Sequence, residues 1–174
     1  MLKIILIVII VLIIGVLLFA TTKPDSFSVK RSISVKAPPE KIAGLINDFN
    51  RWSAWSPWEK LDPTMKRTLT GPASGPGSIY EWEGNSKVGQ GRMEILETSS
   101  SQIKIKLDFI KPFEGHNITV FSLQPQGDTT TVIWDMSGPN RFMGKIMQVF
   151  MNMDNLIGKD FEKGLATLKA QAEG

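Results

Sequence analysis

At 174 residues the chain is long enough for one ordinary domain with its own core. Its formal charge of +3 overstates any basic character, because Lys3 and Lys23 precede Pro24 while all 17 acidic residues follow it. The remainder is close to neutral, which excludes the basic face of a nucleic-acid binder and offers no polybasic run for anionic lipid. Cysteine is absent, so neither a disulfide framework nor thiol chemistry is available.

Residues 4–20 read IILIVIIVLIIGVLLFA, without a charge or a polar side chain. The run is near the lower limit for a bilayer-spanning helix; Leu2 extends it and Lys3 can snorkel. A signal peptide would want a small residue where Leu18 stands, and a buried core helix would show a polar face. The expectation is a transmembrane anchor over 1–20, a polar linker over 21–27 containing Pro24, and one domain over 28–174. Lys3 and the amino terminus favour a cytoplasmic N-terminus, whereas Lys23, Lys30, Arg31 and Lys36 pull the other way. A cysteine-free domain suits export, so the domain is expected on the extracytoplasmic face of the cell membrane.

In residues 29–35, Val29, Arg31, Ile33 and Val35 alternate with polar residues, the period of a strand. Pro38 and Pro39 suit a first helical turn, and Ile42, Leu45, Ile46 and Phe49 recur at helical spacing. Trp52, Trp55 and Trp58 follow in a short turn-rich stretch. Strands are then expected over 65–69, 78–83, 89–96, 103–109, 119–123 and 129–136, joined by turns such as GPASGPG and Gln126-Gly127-Asp128. Short strands and tight turns indicate an antiparallel meander. A long helix is expected over 141–170, with Phe142, Ile146, Phe150, Ile157, Phe161, Leu165 and Leu168 on its apolar stripe and Met143, Met147 and Met151 beside it. Gly158 and Gly164 interrupt it, each at a cost of about 1 kcal/mol against alanine, either for close packing or for a bend.

The segments VKAPPEKIAGLINDFNRWSAWSPW, GPGSIYEW and GKDFEKGLATLK resemble the START-like, Bet v 1-like superfamily, also called SRPBCC or polyketide cyclase/dehydrase and lipid transport. The resemblance spans residues 29–171 and implies an α+β helix-grip fold: a curved antiparallel sheet wrapped around a long C-terminal helix, here preceded by one transmembrane helix. It also implies an apolar cavity that holds a hydrophobic small molecule or lipid. The aromatic and methionine supply for such a cavity is Trp82, Phe109, Phe121, Trp134 and Met136 on strands and Met143, Met147, Phe150 and Met151 on the helix. Trp55 belongs to the tryptophan-rich turn, where the entrance is expected. The competing reading of each of these residues is a filled core.

No catalytic motif accompanies them. The chain has one histidine, His116, and no zinc-ligand spacing. Gly89-Gln90-Gly91 lacks the third glycine and the helix of a dinucleotide loop. Asn117-Ile118-Thr119 is a glycosylation sequon inside an expected strand. Neither a cofactor nor a metal is expected. Two alternatives stay open. A cyclase- or dehydratase-like enzyme would need Glu81, Glu94, Asp108 or His116 in the cavity. An interaction module of the Hsp90-cochaperone kind would show an exposed apolar patch around residues 52–58.

Overall fold

The computed structural model describes every residue from Met1 to Gly174. α1 (Leu2–Thr21) is apolar on all sides and touches the rest of the protein only near its end, where Ala20 is buried. At 20 residues it is about 30 Å long, enough to cross a bilayer. Its length and composition suit an anchor or a signal sequence equally.

Alternation then sets the sheet. β1 (Ser26–Val35), β2 (Lys66–Thr70), β3 (Ile79–Glu83), β4 (Gln90–Thr98), β5 (Gln102–Lys111), β6 (Gly115–Gln126) and β7 (Thr129–Pro139) form one seven-stranded sheet in the order β1-β7-β6-β5-β4-β3-β2. All pairings are antiparallel. On β6, Asn117, Thr119, Phe121 and Leu123 are buried on the concave face while His116 points to the convex side. The β4–β5 register slips at Gln90/Gly91 and again at Ile95/Glu97. Such bulges add twist and bend the sheet. The sheet reaches further than its sequence pattern: β1 begins at Ser26, so only Thr22–Asp25 remain between it and α1, and β6 and β7 extend to Gly115 and Pro139.

β1 and β2 are consecutive strands at opposite edges, bridged by α2 (Pro39–Ile46) and two 3₁₀ turns, Phe49–Ala54 and Pro57–Lys60. Pro39 supplies the first helical position of α2, where no N–H is needed. The last helical carbonyls would be orphaned. Two indoles satisfy them: Trp52 Nε1 donates to Ile46 O at 2.8 Å and Trp55 Nε1 to Leu45 O at 3.0 Å. Both rings are buried. The tryptophan-rich turn therefore fastens α2 to the core.

The expected single C-terminal helix is two helices. α3 (Phe142–Phe150) ends where Met151 and Asn152 take extended backbone, and α4 (Met153–Glu173) starts under the Asn152 side chain, which accepts from Asn155 N at 3.0 Å. α4 is the gripped helix: it lies along the concave face against β1 and α2 and buries Phe161, Leu165 and Leu168. α3 has no fully buried residue and packs beside the end of α1. The short linker is pinned there. Asn140 Nδ2 donates to Pro24 O (2.8 Å) and to Gln148 Oε1 on α3 (3.0 Å), and Lys145 on α3 pairs with Asp25.

Candidate functional site: an apolar cavity under the sheet

The curved sheet does not close completely on the helices. The space left is a cavity of about 590 Å³. β3, β4 and β5 contribute Tyr80, Trp82, Met93, Leu107 and Phe109 to its wall. β6 and β7 contribute Asn117, Thr119, Trp134 and Met136, while Met143 and Met147 of α3 with Ile157 and Phe161 of α4 cover it.

The deep wall is a set of locked rings. Trp134 stacks on Phe161 with centroids 4.1 Å apart and planes 8° apart, and meets Phe121 at 4.8 Å and Trp55 at 5.6 Å. Trp82 sets its edge against Phe109 at 5.9 Å. Its indole donates to Val88 O at 2.9 Å. Gly91 opposite Trp82 leaves the room that the indole occupies, since any Cβ there would overlap the ring. The α3 side differs: Met143 is exposed, Met147 is half-buried, and both are flexible side chains.

Five charged side chains border the cavity, and of these only Glu59 is buried; Asp160 is half-buried and Lys87, Glu114 and Arg141 are exposed. Tyr80 Oη donates to Glu59 Oε1 at 2.5 Å. Arg67 Nε stands 2.7 Å from Glu59 Oε2, close enough to neutralise it but out of line for a hydrogen bond. Burial first, and then the bond to Glu59, push the Tyr80 phenol above its ordinary range, so it stays a protonated donor. Tyr80 satisfies one carboxylate oxygen, while Glu59 Oε2 is ion-paired with Arg67 but accepts no hydrogen bond.

The other titratable candidates are on the convex face. Arg92 pairs with Glu94 at 2.9 Å and Lys106 with Asp108 at 3.0 Å. Glu81 is exposed on β3. His116 sits 2.8 Å from Asp108 and 3.0 Å from Glu114, and these hydrogen bonds raise its pKa. Burial alone would raise the Asp108 carboxyl, but hydrogen bonds from His116 and Lys106 override it and hold the group below its usual range. His116 borders the cavity only at its rim, with Glu114 and Arg141. No group of three His, Cys, Asp or Glu side chains comes together as metal ligands.

Of the candidate ligand-contacting residues, Trp82, Phe109, Trp134, Met136, Met143 and Met147 line the cavity. Phe121 and Trp55 do not: they pack behind Trp134 as core. Phe150 and Met151 do not either, because the helix break at Met151–Asn152 turns them towards a second groove beside Lys23 and Pro24. Helical spacing over 141–170 gave no sign of that break. Missing from the sequence-based set were Tyr80, Met93 and Leu107, legible as inner-face strand residues, and Asn117 and Thr119, which their polarity disguised.

The arrangement agrees with known proteins. The family described as polyketide cyclase / dehydrase and lipid transport matches residues 26–173. No curated protein matches the chain in sequence. Among solved structures, a Chromobacterium violaceum protein is similar at 16% identity and a TM-score of 0.59, over 87% of this chain and 99% of that one. The Aha1 dimer of Colwellia psychrerythraea is similar at 17% and 0.61, over 84% and 96%. The di-domain ARO/CYC BexL from the BE-7585A biosynthetic pathway is similar at 14% and 0.63, over 90% of this chain and 53% of its own. With the helix-grip fold, the cavity beneath it and a family match over nearly all of the chain beyond α1, this protein belongs to the polyketide cyclase/dehydrase and lipid transport family of the START-like (SRPBCC) superfamily.

Proposed function

We propose that this protein is a membrane-anchored domain that holds a hydrophobic small molecule or lipid in the cavity between its sheet and its helices. The observation that carries the reading is the cavity itself: about 590 Å³, walled by aromatic, methionine and aliphatic side chains. That volume is in the range of small-molecule sites. Trp82, Phe109, Trp134, Met136, Met143 and Met147 contact the ligand. α1 is the anchor, Thr22–Asp25 the linker, and the domain sits on the extracytoplasmic face. Two features support the anchor: an all-round apolar α1 has nothing else to bury against, and the pinned linker holds the α3 side of the cavity near the bilayer. The role is binding. The buried carboxylate at the cavity wall, Glu59, is ion-paired with Arg67, Asp160 and Glu114 border the cavity from more exposed positions, and Trp52 and Trp55 are buried rather than displayed as a docking patch.

The deciding experiment extracts the full chain from its host membrane and compares native with denaturing mass spectrometry. A stoichiometric apolar molecule that is released only on unfolding supports the proposal. Protein that emerges empty, and takes up no lipid when offered its host's lipid extract, overturns it.

A further inference from the structure

One wall of the cavity is not apolar. Asn117 and Thr119 succeed each other on the inner face of β6, only 6% and 4% exposed. Their strand neighbours offer them nothing polar. Leu107 on β5 faces Asn117, and Gly138 on β7 lies against its carboxamide; Ile105 and Met136 flank Thr119. Thr119 Oγ1 is buried without a hydrogen-bond partner, and so is Trp134 Nε1 deeper in the same wall. The Asn117 carboxamide likewise takes part in no side-chain hydrogen bond within the protein. Gly138 keeps its place open, because any Cβ there would overlap Asn117 Oδ1.

Unsatisfied polar groups in an apolar cavity are costly, and native proteins keep few of them without a reason. The sequon reading of Asn117 supplies none, since a glycan has no room on a side chain buried in the folded strand. The strand neighbours on both flanks offer no polar side chain, and the remaining side of the two residues is the cavity. We infer that Asn117 and Thr119 form a polar subsite that hydrogen-bonds an uncharged carbonyl or hydroxyl on the ligand. The ligand class is thus an amphiphile with a neutral oxygen head on an apolar body, not a bare hydrocarbon. A charged head fits this wall poorly, because Asn117 and Thr119 provide no counter-ion and a buried unpaired charge is far more expensive than a dipole. The Thr119 hydroxyl and the Asn117 carboxamide can each donate and accept. This inference rests on the cavity-binding reading above.

The test uses the full chain in phosphatidylcholine nanodiscs, with labelled methionine methyls and asparagine side-chain amides, titrated with 2-decanone or decane. Both probes are expected to shift the Met136 and Met143 methyls, which reports occupancy. Only the ketone is expected to shift the Asn117 amide pair. Asn117→Leu or Thr119→Val should reduce the preference for ketone over decane several-fold, about tenfold at most, the worth of one net hydrogen bond. Thr119→Val keeps the side-chain shape and serves should Asn117→Leu fail to fold. Equal preference in variant and parent, or an Asn117 amide that stays still while the methionines move, overturns the polar subsite and leaves the cavity reading standing. Methionine methyls that move with neither probe overturn the cavity reading itself.

Discussion

Gly164 has Trp134 on one side and Pro57 on the other. An added Cβ would lie 2.9 Å from Trp134 Cζ3 and 3.0 Å from Pro57 Cδ, and neither neighbour can retreat, since Trp134 is stacked on Phe161. In an exposed helix, glycine to alanine gains about 1 kcal/mol. Here overpacking costs about 1–3 kcal/mol and wins. Gly164→Ala is therefore expected to lower stability by about 1–2 kcal/mol in urea unfolding, and an unchanged or raised midpoint would contradict the packing. Gly158 is a second case by another cause: the Arg31 guanidinium crosses its Cα, bound to Asp154 at 3.0 Å and to Glu162 at 2.8 Å. Gly158→Ala must displace that guanidinium, and the loss at its partly exposed pairs offsets the helix gain of about 1 kcal/mol, so its cost is expected to be smaller than that of Gly164→Ala. Both glycines stand out in the sequence as faults in a helical stripe. Their reason is not legible there, because Arg31 and Trp134 are distant in sequence and only the sheet brings them under α4. The same holds for Arg31 itself, whose place on the alternating face of β1 was readable while its partners were not.

Among the elements, the strands were legible because period-2 alternation survives one-sided burial, and α2 because Pro39 and Ile42/Ile46 mark it. The break between α3 and α4 was not, since Met151 and Asn152 carry no glycine or proline and the stripe runs on across them. What makes the break is the Asn152 cap on Asn155. Asn152→Ala is expected to cost about 1 kcal/mol, the usual worth of an N-cap, measured by denaturant unfolding. The β5–β6 hairpin has its own tie to α3. His116 bridges Asp108 and Glu114, and Glu114 reaches Arg141 at 3.6 Å, one residue before α3. Lys106, on Asp108, is the remaining charge in that group. The folded pKa of His116 is raised above its ordinary value near 6.5. Its stabilisation is therefore complete below about pH 6.5 and is lost as pH rises through the raised folded value. The stability difference between the parent and His116→Gln should shrink from pH 6 to pH 9, and the NMR titration of this sole histidine should have its midpoint above 6.5. A difference that grows with pH would contradict the bridge.

For the whole molecule, the question is whether the cavity is a device or a packing defect, and stability and binding answer it separately. A defect filled by a larger side chain gains stability and loses nothing else, because a void forfeits contacts on its empty side. A site filled in the same way gains stability in the free protein but loses the stabilisation that a ligand confers by mass action, about 2.7 kcal/mol when the ligand is at a hundred times its Kd. Leu107 suits the substitution: it is half-buried, lines the cavity from β5, and faces Met93 on one side and Asn117 on the other. Its neighbour Met93, and Met136 elsewhere on the cavity wall, are adaptable enough to admit an indole. Leu107→Trp is expected to unfold at the same temperature as the parent or higher when free. It should also show a clearly smaller rise in Tm on addition of host lipid extract. A parent protein with no such rise would make the cavity a defect. A variant that keeps the full rise would place the ligand elsewhere, and the groove at Phe150 and Met151 beside the end of α1 is the next apolar surface to probe.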